Sequence, residues 1–403
     1  MRVLLLGADG FLGRHVTDRL LADPAVQLTA LGRRDSADVR FDLSTGSPGA
    51  LARFLDAIQP GVVINCAGAT VGSARDLVRA NTVAVATVCE AVRRSTCTAR
   101  LVQIGSAAEY GPSPVGSSTG EEALPRPNGA YGVSKLAASE LVLGSGLDAV
   151  VLRVFTPVGP GTPLGSPLGR IADALRRAMQ AGDSEVRIGG LSALRDFVDV
   201  RDVARAVHAA SLSAAQGVVN IGTGHAVRLR DAAAALARAA GFSGQLLELD
   251  DPGELSVLPR PAAGRELRAA EPGRHHLPGG PRGPGDPGRH PLAKDPRGHD
   301  LGIRSATRRD LPAQVGEGRL PEGRAGVVRV PGAPGTPARE GGDSGAQAGR
   351  PCPGATSGPY PSDGCGAWQQ ADVRTARDRL GWRARIALEE SLADVWMEAA
   401  CRV

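Results

Sequence analysis

Apolar residues along the first 250 positions alternate between two rhythms. Short unbroken apolar runs at 3–6, 26–31, 62–65, 101–105 and 150–154 predict buried strands. Between them, positions 11–21, 50–58, 76–93 and 130–143 carry apolar residues at helical spacing. Continuous apolar strands alternating with helices predict an α/β fold, with a parallel sheet covered on both faces. From Trp368 a helical pattern returns, with a helix over 371–382 stopped by Gly381 and a final amphipathic helix opening at Leu388.

Residues 251–366 break this pattern. They hold about two-thirds of the 30 prolines and nearly half of the 54 glycines, and their only aromatic residue is Tyr360. No period of 3.6 or 2 persists there, and such a composition buries too little apolar surface to offset chain entropy. The stretch reads as an unstructured insertion or as out-of-frame translation between two halves of an ordinary enzyme. Four of the seven histidines fall in it, at His275, His276, His290 and His299, without ligand-like spacing. Acids nearly balance its arginines and stacking aromatics are absent, which argues against an RNA-binding segment.

Composition adds limits. A net charge of +5 is spread over mixed charges without a long run of one sign, so it does not point to nucleic acid. The six cysteines (Cys66, Cys89, Cys97, Cys352, Cys365 and Cys401) show neither metal spacing nor a paired framework. Free thiols suit a reducing cytoplasm, and no apolar stretch is long enough for a membrane span.

Two strings carry chemistry. Gly7-Ala-Asp-Gly10-Phe-Leu-Gly13 lies between the first strand and first helix, where a tight glycine turn lets backbone N–H groups approach a pyrophosphate. The second strand runs into Gly32-Arg33-Arg34. Arginine there favours the 2′-phosphate of NADP, whereas an acid would favour NAD. In the second string, Tyr131-Gly-Val-Ser-Lys135, one of only two lysines stands four residues after one of three tyrosines. On a helix both side chains share a face, and a nearby cation lowers a phenol's pKa. The pair therefore reads as a proton-transfer device, with Tyr131 expected below its ordinary pKa.

Together these strings resemble the extended short-chain dehydrogenase/reductase family, especially its nucleotide-sugar epimerases, dehydratases and ketoreductases. Asp42-Leu43 resembles that family's adenine contact, Asn65-Cys-Ala-Gly68 its strand-end turn, and Asn81 its helix asparagine. Ser106-Ala-Ala-Glu-Tyr110-Gly111 resembles the motif carrying the catalytic serine. Arg153-Val-Phe-Thr-Pro-Val-Gly159-Pro-Gly161, Arg195-Asp-Phe-Val-Asp199-Val-Arg-Asp202, Asn220-Ile-Gly-Thr-Gly224 and Leu380-Gly-Trp382 resemble its later signatures. The resemblance covers 1–250 and about 368–400.

It implies a doubly wound Rossmann sheet in residues 1–160, with further sheet elements from about 196–223. A smaller substrate-binding domain would come from 161–250 and 367–403. It also implies Ser106, Tyr131 and Lys135 as the catalytic set. A cofactor, NADP or possibly NAD, would contact Gly7, Asp9, Gly10, Phe11, Leu12 and Gly13. It would also contact Arg33, Arg34, Asp42, Leu43, Cys66, Ala67, Gly68, Asn81, Lys135 and Phe155. A nucleotide sugar would meet Ser106, Tyr131, Thr156 and Arg195, and a homodimer would form through the helices at 76–93 and 130–143. The bland alternatives are a Ser106 that only satisfies a strand end, and an Arg195 paired with Asp196 or Asp199. Asp199 and Asp202 read as helix caps.

The departures narrow the activity. Thr156 stands where the family usually has asparagine, and Ala107 and Ala108 stand where its 4,6-dehydratases carry Asp-Glu. Without those carboxylates, water elimination has no evident acid and base. The expected activity is a 4-ketoreductase of a nucleotide-linked 4-keto (deoxy)hexose, the alternatives being an NAD-dependent 4-epimerase or a non-catalytic dinucleotide-binding protein.

Overall fold

The computed structural model describes residues 1–249, 257–258 and 368–402, and the Pro/Gly-rich segment at 251–366 lies almost wholly outside the described residues. Seven strands form the large sheet: β1 (Arg2–Leu6), β2 (Gln27–Gly32), β3 (Val39–Arg40), β4 (Val62–Asn65), β5 (Arg100–Ser106), β6 (Ala149–Val154) and β10 (Gly217–Ile221). Their order is β10-β6-β5-β4-β1-β2-β3, and every neighbouring pair is parallel. The order reverses direction at β1 and β4, so a crevice opens beyond their carboxyl ends.

Strand periodicity divides the apolar side chains between the two faces. Leu4 and Leu6 pack with helices α2 (Pro48–Ile58), α4 (Ala84–Arg94) and α5 (Ala130–Leu143). Val3 and Leu5 pack with α1 (Phe11–Leu21) and α7 (Val200–Leu212). Both faces are therefore buried, as the unbroken apolar runs require.

A smaller lobe surrounds α6 (Pro167–Ala181), α8 (Leu229–Ala239) and α10 (Leu388–Ala400). Its core joins Ile171, Leu175, Ile188, Leu236 and Leu392. Three more strands, β8 (Glu185–Gly189), β12 (Gln245–Leu249) and β13 (Val257–Leu258), form one small sheet. In another, β9 (Leu194–Asp199) pairs with β7 (Thr156–Val158), β11 (Ala226–Arg228) and β14 (Trp368–Gln369).

The residues after the Pro/Gly-rich segment do not all join the smaller lobe as expected. Helix α9 (Arg374–Leu380) and Trp382 pack on the large sheet, with Ala376 and Trp382 in its core. Gly381 ends α9 in the left-handed region, at φ 59°. The expected helix over 76–93 is also different. Helix α3 (Ala74–Leu77) passes into a π-helical turn, Val78–Val83, before α4 begins. Among the described residues no helix is long and apolar enough to cross a membrane.

Candidate active site

The glycine turn at the end of β1 begins the site. Gly7 has φ +77°, and a Cβ there would lie 2.7 Å from the backbone of Ala67. A Cβ on Gly13 would lie 2.0 Å from Gly7 O, so only hydrogen lets α1 close against the turn. The first N–H groups of α1 consequently point toward the crevice. A groove of ≈ 500 Å³ opens there.

Gly7, Asp9, Gly10, Arg33 and Arg34 line this groove, as do Asp42, Leu43, Cys66, Ala67 and Gly68. These expected contacts are thus gathered in one place. Arg79, from the π-helical turn, joins them although its sequence context singled out nothing. Asp42 is held by Ser44, whose N–H and hydroxyl donate to Oδ1 at 2.9 and 2.7 Å. Those bonds, with Arg33 and Arg79 nearby, keep its carboxyl below the ordinary range.

Six expected cofactor contacts, Phe11, Leu12, Gly13, Asn81, Lys135 and Phe155, do not line this groove. Phe11 and Leu12 begin α1 and are not in the groove wall, and the Phe11 ring stacks edge-on against His15. Phe155 is buried with Ala107, Tyr110 and Ala371 behind the strand end. Asn81 is buried behind the groove: its Oδ1 accepts Ala69 N–H at 2.8 Å, and its Nδ2 donates to Ala69 O and Ser134 Oγ, both at 2.9 Å. Through these bonds the Asn81 amide ties the groove loop to α5. Gly13, equally, serves packing.

Beyond the groove lie Ser106, Tyr131 and Lys135. Ser106 ends β5, and its Oγ accepts Ala108 N–H at 3.2 Å. The same hydroxyl hydrogen-bonds the Tyr131 phenol. Tyr131 and Lys135 occupy successive turns of α5. Gly132 brings that helix close, since a Cβ there would lie 2.4 Å from Ala108 O. The turn is braced by Ser134, which donates to Tyr131 O at 2.8 Å. Lys135 is buried and donates its Nζ to Ile104 O.

Electrostatics overturn one expectation. Burial pushes the Tyr131 phenol above its ordinary value; the Ser106 hydroxyl opposes this, and the Glu109 carboxylate adds to it. Lys135 is not among the groups acting on the phenol. The ammonium is turned to Ile104 O, and the phenol lies above its ordinary value, not below it as the spacing suggested. Burial likewise lowers the Lys135 ammonium, opposed by Glu109 and then Cys66. The Cys66 thiol is pushed up to about 12 by burial, against the pull of Lys135.

Glu109 was the residue that sequence reasoning passed over. It is fully buried, and its Oε1 accepts Ser106 N–H at 2.8 Å. The Ser-x-x-Glu spacing of a capping box was the available signal.

On the substrate side, Thr156 opens β7 and Arg195 lies in β9, half-exposed. Asp196 accepts from Thr223, Gly224 and Ala371. Asp199 takes Arg201 and Ser391. Asp199 caps α7 by accepting Arg201 N–H at 2.8 Å.

A family model of the NAD dependent epimerase/dehydratase family matches residues 3–222. The chain belongs to that family. The chain is similar to a dTDP-6-deoxy-L-talose 4-dehydrogenase (NAD(P)(+)) of Kitasatospora kifunensis, 38% identical over 264 residues, which cover 62% of this chain and 83% of that protein. A GDP-6-deoxy-D-mannose reductase of Pseudomonas aeruginosa is 28% identical over 295 residues, covering 69% and 91%. The solved structure of RMD from Pseudomonas aeruginosa with NADPH superposes with a TM-score of 0.64 at 18% identity, covering 100% of this chain and 99% of the other. That likeness concerns the fold. As an epimerase/dehydratase family member of the extended short-chain dehydrogenase/reductase type, the chain is an NAD(P)-dependent enzyme.

Proposed function

We propose that this protein is an NADP-dependent 4-ketoreductase of a nucleotide-activated 6-deoxyhexose. The observation that carries this reading is the end of β5. Ser106 faces Tyr131 there, while the positions where an elimination would need acids are Ala107 and Ala108. Glu109 does not replace them, because both its oxygens are taken by Ser106 N–H and Arg153.

The residues fit a dinucleotide. The Gly7 cradle would be closed by any Cβ, and Arg33, Arg34 and Arg79 converge where a 2′-phosphate would stand. When bound, that cofactor supplies or accepts hydride. The protein's part is to place the sugar oxygen and move one proton. Ser106 donates a hydrogen bond to that oxygen, and Tyr131 donates the proton as it becomes a hydroxyl. A phenol held above its ordinary value stays protonated near neutrality, which suits donation and therefore reduction. Lys135 holds its Nζ against Ile104 O beside the turn and has donors to offer a ribose.

The relatives agree with this chemistry. A 4-dehydrogenase run backwards is a 4-ketoreductase, so the name of the 38% identical Kitasatospora relative supports action at carbon 4 of a 6-deoxy sugar. A second reading, a 4-epimerase, draws support from the UDP-glucose 4-epimerase of Thermus thermophilus with NAD, 27% identical with a TM-score of 0.53 over 61% of this chain.

Titration of the purified protein with NADPH and NADH, then a screen of dTDP-, GDP- and UDP-linked 4-keto sugars, decides between them. NADPH consumption stoichiometric with a 4-keto sugar supports the reductase. Tightly bound NAD with interconversion of two sugars in the absence of added cofactor makes it an epimerase. Tyr131→Phe is expected to keep NADPH binding and lose ~10²–10⁴-fold in turnover.

A further inference from the structure

Beneath the catalytic turn lies a buried ion pair that the reaction as described does not use. Glu109 Oε2 accepts Arg153 Nε at 2.7 Å, and neither side chain reaches solvent appreciably. The Arg153 guanidinium lies 4.4 Å from the centroid of the Tyr110 ring. Tyr110 donates its hydroxyl to Asn220 Oδ1 at 2.8 Å, and Asn220 N–H donates to Glu121 at 2.8 Å. The backbone is cleared for the carboxylate, since a Cβ on Gly105 would lie 2.8 Å from Glu109 Oε1.

Such a pair is a poor source of stability. Removing two charges from water offsets most of their attraction, and apolar side chains of similar volume usually serve as well. Its location supplies another reason for it. We propose that Glu109, anchored by Arg153, is a positioning residue that fixes Ser106 through the backbone and places a negative charge beside Tyr131 and Lys135. This rests on reading Ser106, Tyr131 and Lys135 as the reactive set.

Two effects follow. Holding Ser106 N–H fixes the strand end whose hydroxyl accepts from Ala108 and hydrogen-bonds the Tyr131 phenol. The charge also opposes the burial that would strip the proton from Lys135, and it adds to the burial that keeps Tyr131 protonated. The other ionisable groups around this set are Cys66 beside Lys135, and Arg153 and Glu121 beside Tyr110. None of these acts on both Tyr131 and Lys135, as Glu109 does.

The test uses Glu109→Gln, which keeps an acceptor for Ser106 and removes the charge. The full-length protein, labelled with ¹³C at tyrosine Cζ, contains three tyrosines, and Tyr131→Phe assigns the relevant resonance. In Glu109→Gln the titration of that resonance is expected to move to lower pH by ~1 unit, and the pH limb of sugar oxidation is expected to move with it. An unmoved resonance in a folded variant overturns the proposal. If the single variant does not fold, Glu109→Gln with Arg153→Gln removes both charges together, and the same downward shift is required of it. Because the resonance is read without turnover, the proposal can fail while Tyr131→Phe still abolishes reduction. Conversely, a fully active Tyr131→Phe sinks the reductase mechanism, whatever the resonance does.

Discussion

Ser391 donates its hydroxyl to the Asp199 carboxylate at 2.6 Å, joining residues 192 positions apart. The same carboxylate caps α7 and pairs with Arg201. Burial alone would raise its pKa, but the Arg201 and Ser391 hydrogen bonds outweigh that and leave it below the ordinary 3.8. A depressed carboxylate contributes stability above its unfolded pKa and loses it as pH falls through the folded value. Ser391→Ala removes one of the depressing bonds. Its acid-unfolding transition is expected at higher pH than the parent's when denaturant stability is followed from about pH 5 to about pH 2. Coincident transitions would show that the bond does not hold this carboxylate.

Trp382 tests the docking of the last described stretch. Its ring is 3% exposed within the core of the large sheet, and Nε1 donates to Asp202 O at 2.9 Å. Trp382→Ala should lose about 3–5 kcal/mol. Calorimetry should record a fall in Tm of roughly 10 °C. Little change would mean that residues after the Pro/Gly-rich segment are dispensable to the large sheet.

Lys135 separates charge from volume. It is buried against Ile104 O, so arginine would overpack the site and confound the result. Methionine keeps the stem and removes the ammonium. Lys135→Met is expected to stay folded by circular dichroism and to lose ~10²–10⁴-fold in turnover. Parental turnover in that variant would remove Lys135 from the reaction.

Arg33 addresses cofactor choice. It lines the groove with Arg34 and Arg79. Arg33→Ala should weaken NADPH binding by ~10–100-fold, the worth of one charge-assisted contact. NADH binding should hardly change. Fluorescence titration with both nucleotides reads the ratio, and equal losses for the two would place Arg33 away from the 2′-phosphate.

The parallel sheet was visible in the sequence because its strands are apolar on both faces, and the glycine turn because Gly7 and Gly13 occupy one contact. Asn81 was legible as a helix asparagine, but not its bonds to Ala69 and Ser134: helical periodicity assumes 3.6 residues per turn, and a π-helical turn runs through Val78–Val83. The two-residue strand β14 carries too little pattern to be seen before its partner β9 is in place. The rise in the Tyr131 pKa depends on burial and on the Glu109 charge, neither of which spacing encodes. Glu109 left a capping-box signature, yet its pairing with Arg153 crosses 44 residues and needed the fold.

One carboxylate sets a schedule for the nascent chain. Asp196 gathers Thr223, Gly224 and Ala371, the last of them 175 residues downstream. Ala371 also backs Ala107, Tyr110 and Phe155 behind the reactive strand end. Forming that contact requires closing a long loop, which is slow compared with local pairing. The ribosome must therefore deliver residue 371 before the wall behind the end of β5 can close, well after the glycine turn at Gly7 has emerged.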